Sequence, residues 1–263
     1  MRLQGKTAVV VGAGQTPGVT IGNGRAIALL FAREGADVLC VDRDGARAEE
    51  TVAMIRGEGG LAGAMEANIA KPGAGDAIVA AAKARFGRLD ILVNNVGIGG
   101  GGDAPAHVIE EDAFDRIMTV NLKAMWLTTK AAIPAMRASG GGAIVNISSL
   151  ASIAGANMLA YEISKAGVNR LTTHIAQANA KYGIRCNAAL PGLMDTPMAM
   201  AATVRGMSED ALRQVRNSRV PLGGKMGTAW DTAHASLFLS SDEARFITGV
   251  LLPVDGGMSS RIG

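Results

Sequence analysis

Short apolar runs alternate with longer helical patterns along this chain, and this rhythm limits its fold more than any other feature. The runs are nearly continuous in hydrophobicity, which is typical of strands buried on both faces of a sheet. Strands are predicted at Thr7–Val11, Asp37–Val41, Leu89–Val93, Ala143–Ile147, Ile184–Ala189 and Val250–Val254, with a weaker candidate at Leu61–Met65. Helices are predicted at Gly24–Arg33, Ala46–Arg56, Gly75–Phe86, Glu110–Arg137, Leu159–Lys181 and Thr228–Ser240. The alternation predicts an α/β fold, a doubly wound parallel sheet of about seven strands with helices on both faces.

The chain has 263 residues and shows neither a linker nor an internal repeat, so we expect a single domain over residues 1–263. In a doubly wound sheet, ligands bind in the crevice beyond the carboxyl ends of the strands. The residues that directly follow each strand are therefore the candidates for function.

Composition excludes several classes of protein. The net charge of +3 is too small, and basic runs too scarce, to indicate a nucleic-acid partner. The two cysteines and three histidines have no metal-ligand spacing, so we expect no metal. No apolar stretch approaches the roughly 18 residues of a membrane span, and the apolar start of the chain is too short for a signal peptide. We expect a cytoplasmic protein without a membrane partner.

Glycines cluster between the first predicted strand and the first helix. Gly12 and Gly14 follow the strand, and Gly22 and Gly24 open the helix. Glycines at such a turn let the backbone approach a pyrophosphate, and the helix N-terminus supplies N–H donors with a partial positive charge. An ordinary glycine-rich turn is the alternative interpretation, because this fingerprint also occurs by chance.

An acidic residue follows at the distance that dinucleotide sites use. Asp42 ends the second strand, 18 positions after Gly24. A carboxylate there can accept hydrogen bonds from the adenosine ribose and would repel a 2′-phosphate, so NAD is favoured over NADP. The adjacent Arg43 is suited to bind a 2′-phosphate and tempers that preference.

A tyrosine and a lysine, Tyr161 and Lys165, stand four positions apart and share one face of a predicted helix. An ammonium about 4 Å from the phenol, at an effective dielectric near 20, would favour the phenolate by about 4 kcal/mol. That corresponds to a pKa lowered by roughly three units. The pair is therefore a candidate acid/base centre, and we expect Lys165 to lower the pKa of Tyr161.

Further motifs accompany this pair along nearly the whole chain. In order, the full set is Gly12…Gly22-x-Gly24, Asn94-Asn95-Val96-Gly97, Asn121, Ser148-Ser149, Tyr161-x-x-x-Lys165, Pro191-Gly192 and Phe246-Ile247-Thr248-Gly249…Asp255-Gly256-Gly257. This set resembles the short-chain dehydrogenase/reductase family. The resemblance implies a Rossmann-type fold, with a cofactor half over about residues 1–150 and a catalytic half over about residues 140–263. It also implies hydride transfer to or from a nicotinamide cofactor.

The resemblance assigns catalytic roles to four residues. Tyr161 is the general acid/base, and Lys165 lowers its pKa and binds the nicotinamide ribose. Ser149 hydrogen-bonds the substrate oxygen, with Ser148 as the alternative serine. Asn121 kinks its helix and holds a water that links Lys165 to solvent.

The resemblance also assigns cofactor contacts along the strand ends. Asn94 is expected to tie neighbouring strands together. The expected cofactor contacts are Asn95, Gly97, Pro191, Gly192, Met194 and Thr196, beside the glycine turn, Asp42 and Arg43.

Three departures from the family pattern stand out. Nine residues separate Gly12 from Gly22, so the phosphate loop is enlarged, and Gly14 and Gly18 are alternative phosphate contacts. Asn68, with Ile69 beside it, stands where an aspartate usually meets the adenine. Val96 replaces a usual alanine.

The segment after Pro191 is expected to cover the substrate. Its methionines suit an adaptable apolar pocket or serve as core filler; they are Met194, Met198, Met200, Met207 and Met226. Its arginines suit a solvated helix face or an anionic substrate group; they are Arg205, Arg213, Arg216 and Arg219.

Together these features predict an NAD-dependent dehydrogenase acting on a small, largely apolar secondary alcohol or ketone. An NADPH-dependent 3-oxoacyl-thioester reductase is the alternative enzyme, and a catalytically silent dinucleotide-binding scaffold is the alternative of another class. The resemblance further implies a homotetramer.

Overall fold

A seven-stranded parallel sheet organises the molecule. The structure is a computed structural model that describes residues 1–201 and 208–260. The strands are β1 (Thr7–Val11), β2 (Asp37–Asp42), β3 (Ala62–Glu66), β4 (Ile91–Asn94), β5 (Gly142–Ile147), β6 (Ile184–Pro191) and, later in the chain, β9 (Leu251–Val254). Their order across the sheet is β3-β2-β1-β4-β5-β6-β9. The predicted fold class is confirmed, and the weak candidate strand is β3 at the sheet edge.

Helices cover both faces of this sheet. They are α1 (Asn23–Arg33), α2 (Gly45–Gly57), α3 (Ala74–Phe86), α4 (Glu111–Met118), α5 (Ala124–Ala138), α6 (Leu159–Asn179), α7 (Pro197–Ala201), α8 (Glu209–Asn217) and α9 (Ala229–Ser240). Helices α1, α2 and α9 pack with Val10 and Val38 in one core. Helices α3, α5 and α6 pack with Val9 and Leu39 in the other. Alternate residues of each strand thus enter opposite cores, which explains why the strands are apolar throughout.

The predicted helix over 110–137 is interrupted in its middle. Helix α4 ends at Met118, Thr119–Lys123 form one turn of π-helix, and α5 begins at Ala124. The buried Asn121 lies in that turn and hydrogen-bonds the backbone of Ile98 with both polar atoms of its amide. A π-turn inside a helix often marks a functional position, and here it brings an amide to the carboxyl end of β4.

The chain after β6 forms elements that the hydrophobic pattern did not predict. Strands β7 (Met194–Asp195) and β8 (Gly227–Thr228) pair in a separate two-stranded sheet. Met200 and Met226 pack with Leu212 of α8 in a small separate core, so these two methionines serve as core filler. Met198 is exposed, whereas Met207 and Arg205 lie outside the described residues.

Within the described part of the chain, none of the helices combines the length and the hydrophobicity needed to cross a membrane.

Candidate active site

The turn between β1 and α1 brings two backbone segments unusually close together. Gly12 has φ +84°, a conformation that favours glycine. A Cβ placed on Gly24 would lie 1.8 Å from the carbonyl oxygen of Gly12. Asn95 closes the turn, since its Nδ2 donates to that same carbonyl oxygen at 2.9 Å. Glycine at position 24 is therefore required by the backbone itself.

The N-terminus of α1 is open to a ligand. Among the described residues, no side chain caps the helix at its N-cap residue Gly22. The enlarged loop before it is organised by Gln15, whose Oε1 accepts from the Gly22 amide at 2.9 Å and whose Nε2 donates to the Thr20 carbonyl at 3.1 Å. Glycines and free helix N–H groups together fit the pyrophosphate of a dinucleotide.

The enlarged loop also reaches across to the other half of the cleft. A Cβ on Gly18 would lie 2.8 Å from Cβ of Pro197, the first residue of α7. The loop is thus in contact with the segment that is expected to cover the substrate. Gly14 instead donates its amide to Oδ2 of Asp42 at 3.0 Å, which fixes the other end of the loop.

The adenosine side of the predicted site lies beyond β2 and β3. Asp42 is half-buried at the end of β2, and Arg43 next to it is exposed. Asn68 is exposed, and its Oδ1 accepts from the Ala70 amide at 3.0 Å. Ile69 is buried in the sheet core. Asp42, Arg43, Asn68 and Ile69 thus follow neighbouring strands but differ in how far their side chains are exposed.

Tyr161 and Lys165 lie in the first two turns of α6, Tyr161 half-buried and Lys165 buried. The Lys165 Nζ is 5.7 Å from the centre of the Tyr161 ring and donates to the Ile147 carbonyl at 2.9 Å. Burial raises the pKa of Tyr161 and outweighs the hydrogen bond with Ser149, which lowers it. Burial also lowers the pKa of Lys165 to about 8. Desolvation therefore dominates the pKa shifts of both groups, and the expectation that Lys165 lowers the pKa of the phenol stays a prediction.

The two serines after β5 play different parts. The buried Ser148 donates its hydroxyl to the main-chain carbonyl of Lys165 at 3.1 Å. The half-buried Ser149 hydrogen-bonds the side chain of Tyr161. The structure thus brings Ser149, Tyr161 and Lys165 together, whereas the Ser148 hydroxyl is engaged with the helix backbone.

Asn121 and Gly97 complete the surroundings of the lysine. A Cβ on Gly97 would lie 3.0 Å from the Lys165 Nζ and 3.7 Å from the Asn121 Oδ1. Asn121 also donates to the Ser164 hydroxyl at 3.1 Å. Nearby Asn94 donates to Oδ1 of Asn146 at 2.9 Å and so joins β4 to β5, as expected.

The nicotinamide side of the predicted site follows β6. Pro191 ends β6 and is buried, and Gly192 donates its amide to the Val254 carbonyl at 3.0 Å. Met194 and Thr196 are buried in and just after β7. Arg213 of α8 pairs with Asp195 at 3.1 Å, so this arginine is engaged within the protein.

Three residues near the site were given no role from the sequence alone. Gln15 organises the enlarged loop, Gly99 lies against the Tyr161 ring, and Asp103 accepts hydrogen bonds from the first turn of α6. A polar residue beside glycines has the pattern of a solvated turn, so only the tertiary contacts reveal these roles.

In the residues that the structure describes, no three histidine, cysteine, aspartate or glutamate side chains gather as ligands for a metal ion.

Comparison with known proteins agrees with this geometry. Residues 18–259 match the family model described as enoyl-(acyl carrier protein) reductase. An uncharacterized oxidoreductase of Thermotoga maritima is 38% identical over 99% of this chain and 100% of its own length. A 7alpha-hydroxysteroid dehydrogenase of Clostridium sardiniense is 37% identical over 98% of this chain and 95% of its own length. A 3-oxoacyl-acyl-carrier-protein reductase of Thermotoga maritima is 35% identical over 98% and 99%.

Solved structures agree as well. A short-chain dehydrogenase/reductase from Burkholderia xenovorans superimposes with a TM-score of 0.93 at 41% identity, covering 100% of this chain and 99% of its own. The similarity covers nearly the full length of the chain and includes its fold. The chain belongs to the short-chain dehydrogenase/reductase family of oxidoreductases.

Proposed function

We propose that this protein transfers a hydride between NAD(H) and a small, largely apolar secondary alcohol or ketone. The observation that carries the proposal is the Tyr161 hydroxyl, hydrogen-bonded by Ser149 and followed one helical turn later by the Lys165 ammonium. This group of side chains lies at the carboxyl end of β5, in the crevice that also contains the glycine turn after β1. Reaction chemistry and cofactor binding thus share one crevice.

Tyr161, Ser149 and Lys165 have separate roles in the proposed proton transfer. A bound nicotinamide ring supplies the hydride acceptor for oxidation and the donor for reduction. In oxidation, Tyr161 takes the proton of the alcohol oxygen; in reduction, it returns that proton to the carbonyl oxygen. Ser149 donates to the substrate oxygen and stabilises its developing charge. The cationic Lys165 stabilises the phenolate that remains after reduction, since opposite charges favour each other most strongly in a buried site.

Burial of the phenol suits the proton-donating direction. The pKa of Tyr161 is raised by burial, so the phenol holds its proton at neutral pH. A protonated Tyr161 is ready to protonate a carbonyl oxygen, whereas alcohol oxidation needs the phenolate. Asn121, fixed to Ile98 and Ser164, holds the backbone beside Lys165 in place.

The cofactor preference rests on Asp42. Its half-buried carboxylate ends β2, where the ribose of the adenosine would lie. A fixed negative charge there disfavours the 2′-phosphate of NADP. Asn95 and the glycines of the β1–α1 turn would hold the pyrophosphate, and Pro191, Gly192, Met194 and Thr196 the nicotinamide end.

The substrate class rests on the side chains beyond β6. The buried Met194 is apolar and adaptable. Arg213 pairs with Asp195 of β7, which disfavours an anionic substrate at this point. An apolar alcohol or ketone fits these surroundings best.

A coupled absorbance screen tests the proposal. Secondary alcohols and cyclic ketones are offered with NAD(H) and with NADP(H), and the change at the nicotinamide absorbance is recorded. Turnover with apolar alcohols and NAD supports the proposal. Turnover confined to 3-oxoacyl thioesters would refute the proposed substrate, and cofactor binding without turnover of any substrate would indicate a silent scaffold.

A second candidate is an NADPH-dependent 3-oxoacyl-thioester reductase. The exposed Arg43 favours it, since a guanidinium beside the ribose can pair with a 2′-phosphate. A relative that bears the name of a 3-oxoacyl-acyl-carrier-protein reductase supports the same class of substrate. The two dissociation constants, for NADPH and for NADH, separate the candidates.

We further propose a single domain over residues 1–263, a homotetrameric assembly and a cytoplasmic location. Strands from both halves of the chain join in one sheet, which supports the single domain. Exposed Trp126 on α5 and Ile163 on α6 offer apolar surface for subunit contacts. Cys40 and Cys186 are unpaired, as in a reducing compartment. Light scattering of the purified protein tests the assembly.

A further inference from the structure

A glycine-rich segment, residues 98–103, crosses in front of the proposed catalytic tyrosine. We call it the glycine strap. At its start, Ile98 donates its amide to Oδ1 of Asn121 at 2.8 Å and accepts from Nδ2 at 2.9 Å. At its end, Asp103 accepts from the amides of Ala160 at 3.0 Å and Tyr161 at 2.9 Å. The strap is therefore fixed to the protein at both ends by side-chain hydrogen bonds.

The middle of the strap faces the tyrosine ring. A Cβ on Gly99 would be 3.4 Å from Cδ2 of Tyr161, so the Gly99 backbone faces the ring across a gap that a single carbon atom would fill. Gly100, Gly101 and Gly102 follow with φ of +69°, +61° and +100°. Consecutive residues in this conformation are accessible to glycine and strained for other residues. The path from Gly99 to Asp103 thus depends on glycine.

The carboxylate of Asp103 takes the place of a missing helix cap. The N-cap residue of α6 is Met158, which has no side-chain acceptor for the first amides of the helix. Asp103 supplies that acceptor from a distant part of the chain, 58 residues before Tyr161. A carboxylate at this end also interacts favourably with the helix dipole.

We propose that Asp103 is a positioning residue, which sets the place of Tyr161 by fixing both the first turn of α6 and the strap that covers the ring. The inference rests on the proposed role of Tyr161 as the acid/base. Asp103 contacts only main-chain amides in these bonds, so it acts through the tyrosine.

A neighbouring carboxylate provides a matched comparison. Glu162 accepts from the amides of Ala156 at 2.6 Å and Met158 at 3.1 Å. It therefore stabilises the same end of α6 from within the helix. Its hydrogen bonds involve neither the strap nor the amide of Tyr161, so a purely stabilising role and a positioning role predict different results for the two carboxylates.

The pKa of Tyr161, measured by titration, reports how strongly the strap influences the phenol. The chain has two tyrosines, and Tyr182 lies in a turn after α6. In a Tyr182→Phe background, the phenolate absorbance reports Tyr161 alone. The ionisable groups nearest to it in the described structure are Lys165 on its own helix, Asp103 on the strap and Glu162 beside it.

In that background we expect Asp103→Ala to lower the pKa of Tyr161 by about 0.5–1 unit, because water reaches the ring and a nearby negative charge is lost. Asp103→Asn keeps one of the two acceptors and should give a smaller shift. Glu162→Ala also removes a nearby negative charge but leaves the strap in place, so it should lower the pKa clearly less than Asp103→Ala. With a substrate from the screen, Asp103→Ala should reduce kcat about 10-fold through misplacement of the phenol, with the dissociation constant for the dinucleotide unchanged.

Equal effects of Asp103→Ala and Glu162→Ala on the Tyr161 pKa and on kcat would overturn the inference, and so would no effect of Asp103→Ala on either. If the alanine variant does not fold, Asp103→Asn is measured against Glu162→Gln by the same criteria. Because the titration needs no substrate, it tests the role of Asp103 independently of the proposed reaction. Full activity of Tyr161→Phe would instead refute the proposed function.

Discussion

Replacement of Gly24 by alanine tests the architecture of the cofactor turn. The added Cβ would lie 1.8 Å from the Gly12 carbonyl oxygen and 2.5 Å from Nδ2 of Asn95. Non-bonded heavy atoms prefer about 3.5 Å or more, so the two segments must separate by well over an ångström. The hydrogen bond from Asn95 to Gly12 is lost in that movement, and the start of α1 turns away from the phosphate position.

The loss of stability expected for Gly24→Ala follows from overpacking at this contact. Forcing extra atoms into a tight contact costs about 1–3 kcal/mol, and in a chain of this size each kcal/mol lowers Tm by about 2–4 °C. We therefore expect Gly24→Ala to melt several degrees below the unmodified protein. At a dinucleotide concentration of about 100 times Kd, binding should raise the free energy of unfolding of the unmodified protein by about 2.7 kcal/mol. The variant should show little or none of this stabilisation.

Gly57→Ala is the matched control for this measurement. Gly57 is the last residue of α2, and a Cβ there meets nothing within 4 Å. Alanine in a helix is favoured over glycine by about 0.5–1 kcal/mol, so the control should melt slightly higher and respond fully to the dinucleotide. A Gly24→Ala protein with an unchanged Tm and a full response would refute the close backbone approach.

Two further predictions concern the cofactor and the lysine. Asp42→Ser removes the charge at the end of β2 and should shift the ratio of the dissociation constants for NADPH and NADH towards NADPH, as measured by fluorescence titration; an unchanged ratio would show that another residue sets the preference. Because burial lowers the pKa of Lys165 to about 8, the ammonium is lost above that pH, and the rate of carbonyl reduction should fall there. Lys165→Met should lack this fall, and a fall that persists in the variant would assign it to another group.

The sheet was predictable from sequence because its strands are buried on both faces. Continuous apolar runs such as Thr7–Val11 are buried at every position, whereas the edge strand β3 gave a weaker pattern because only its first two residues are fully buried. The segment after Pro191 was not predictable in the same way. Its helix α8 consists mostly of polar and charged residues and buries only Leu212, so it has too few apolar positions for a hydrophobic pattern to predict it.

The site was predictable where a local pattern carries the chemistry, as in Tyr161 and Lys165. The direction in which the phenol's pKa shifts was not, because the spacing of a lysine along a helix shows neither how deeply both groups are buried nor that the ammonium donates a hydrogen bond to the Ile147 carbonyl. Asp103 was missed for a related reason. Its partners are main-chain amides 57 and 58 residues away, and only the folded chain brings them together.

The central claim is that Tyr161 exchanges the proton with the substrate oxygen. Single-turnover hydride transfer in Tyr161→Phe, followed at the nicotinamide absorbance with cofactor bound, tests it most directly. We predict a rate at least about 10³-fold below that of the unmodified enzyme and an unchanged dissociation constant for the dinucleotide. Hydride transfer at a near-normal rate in this variant would contradict it.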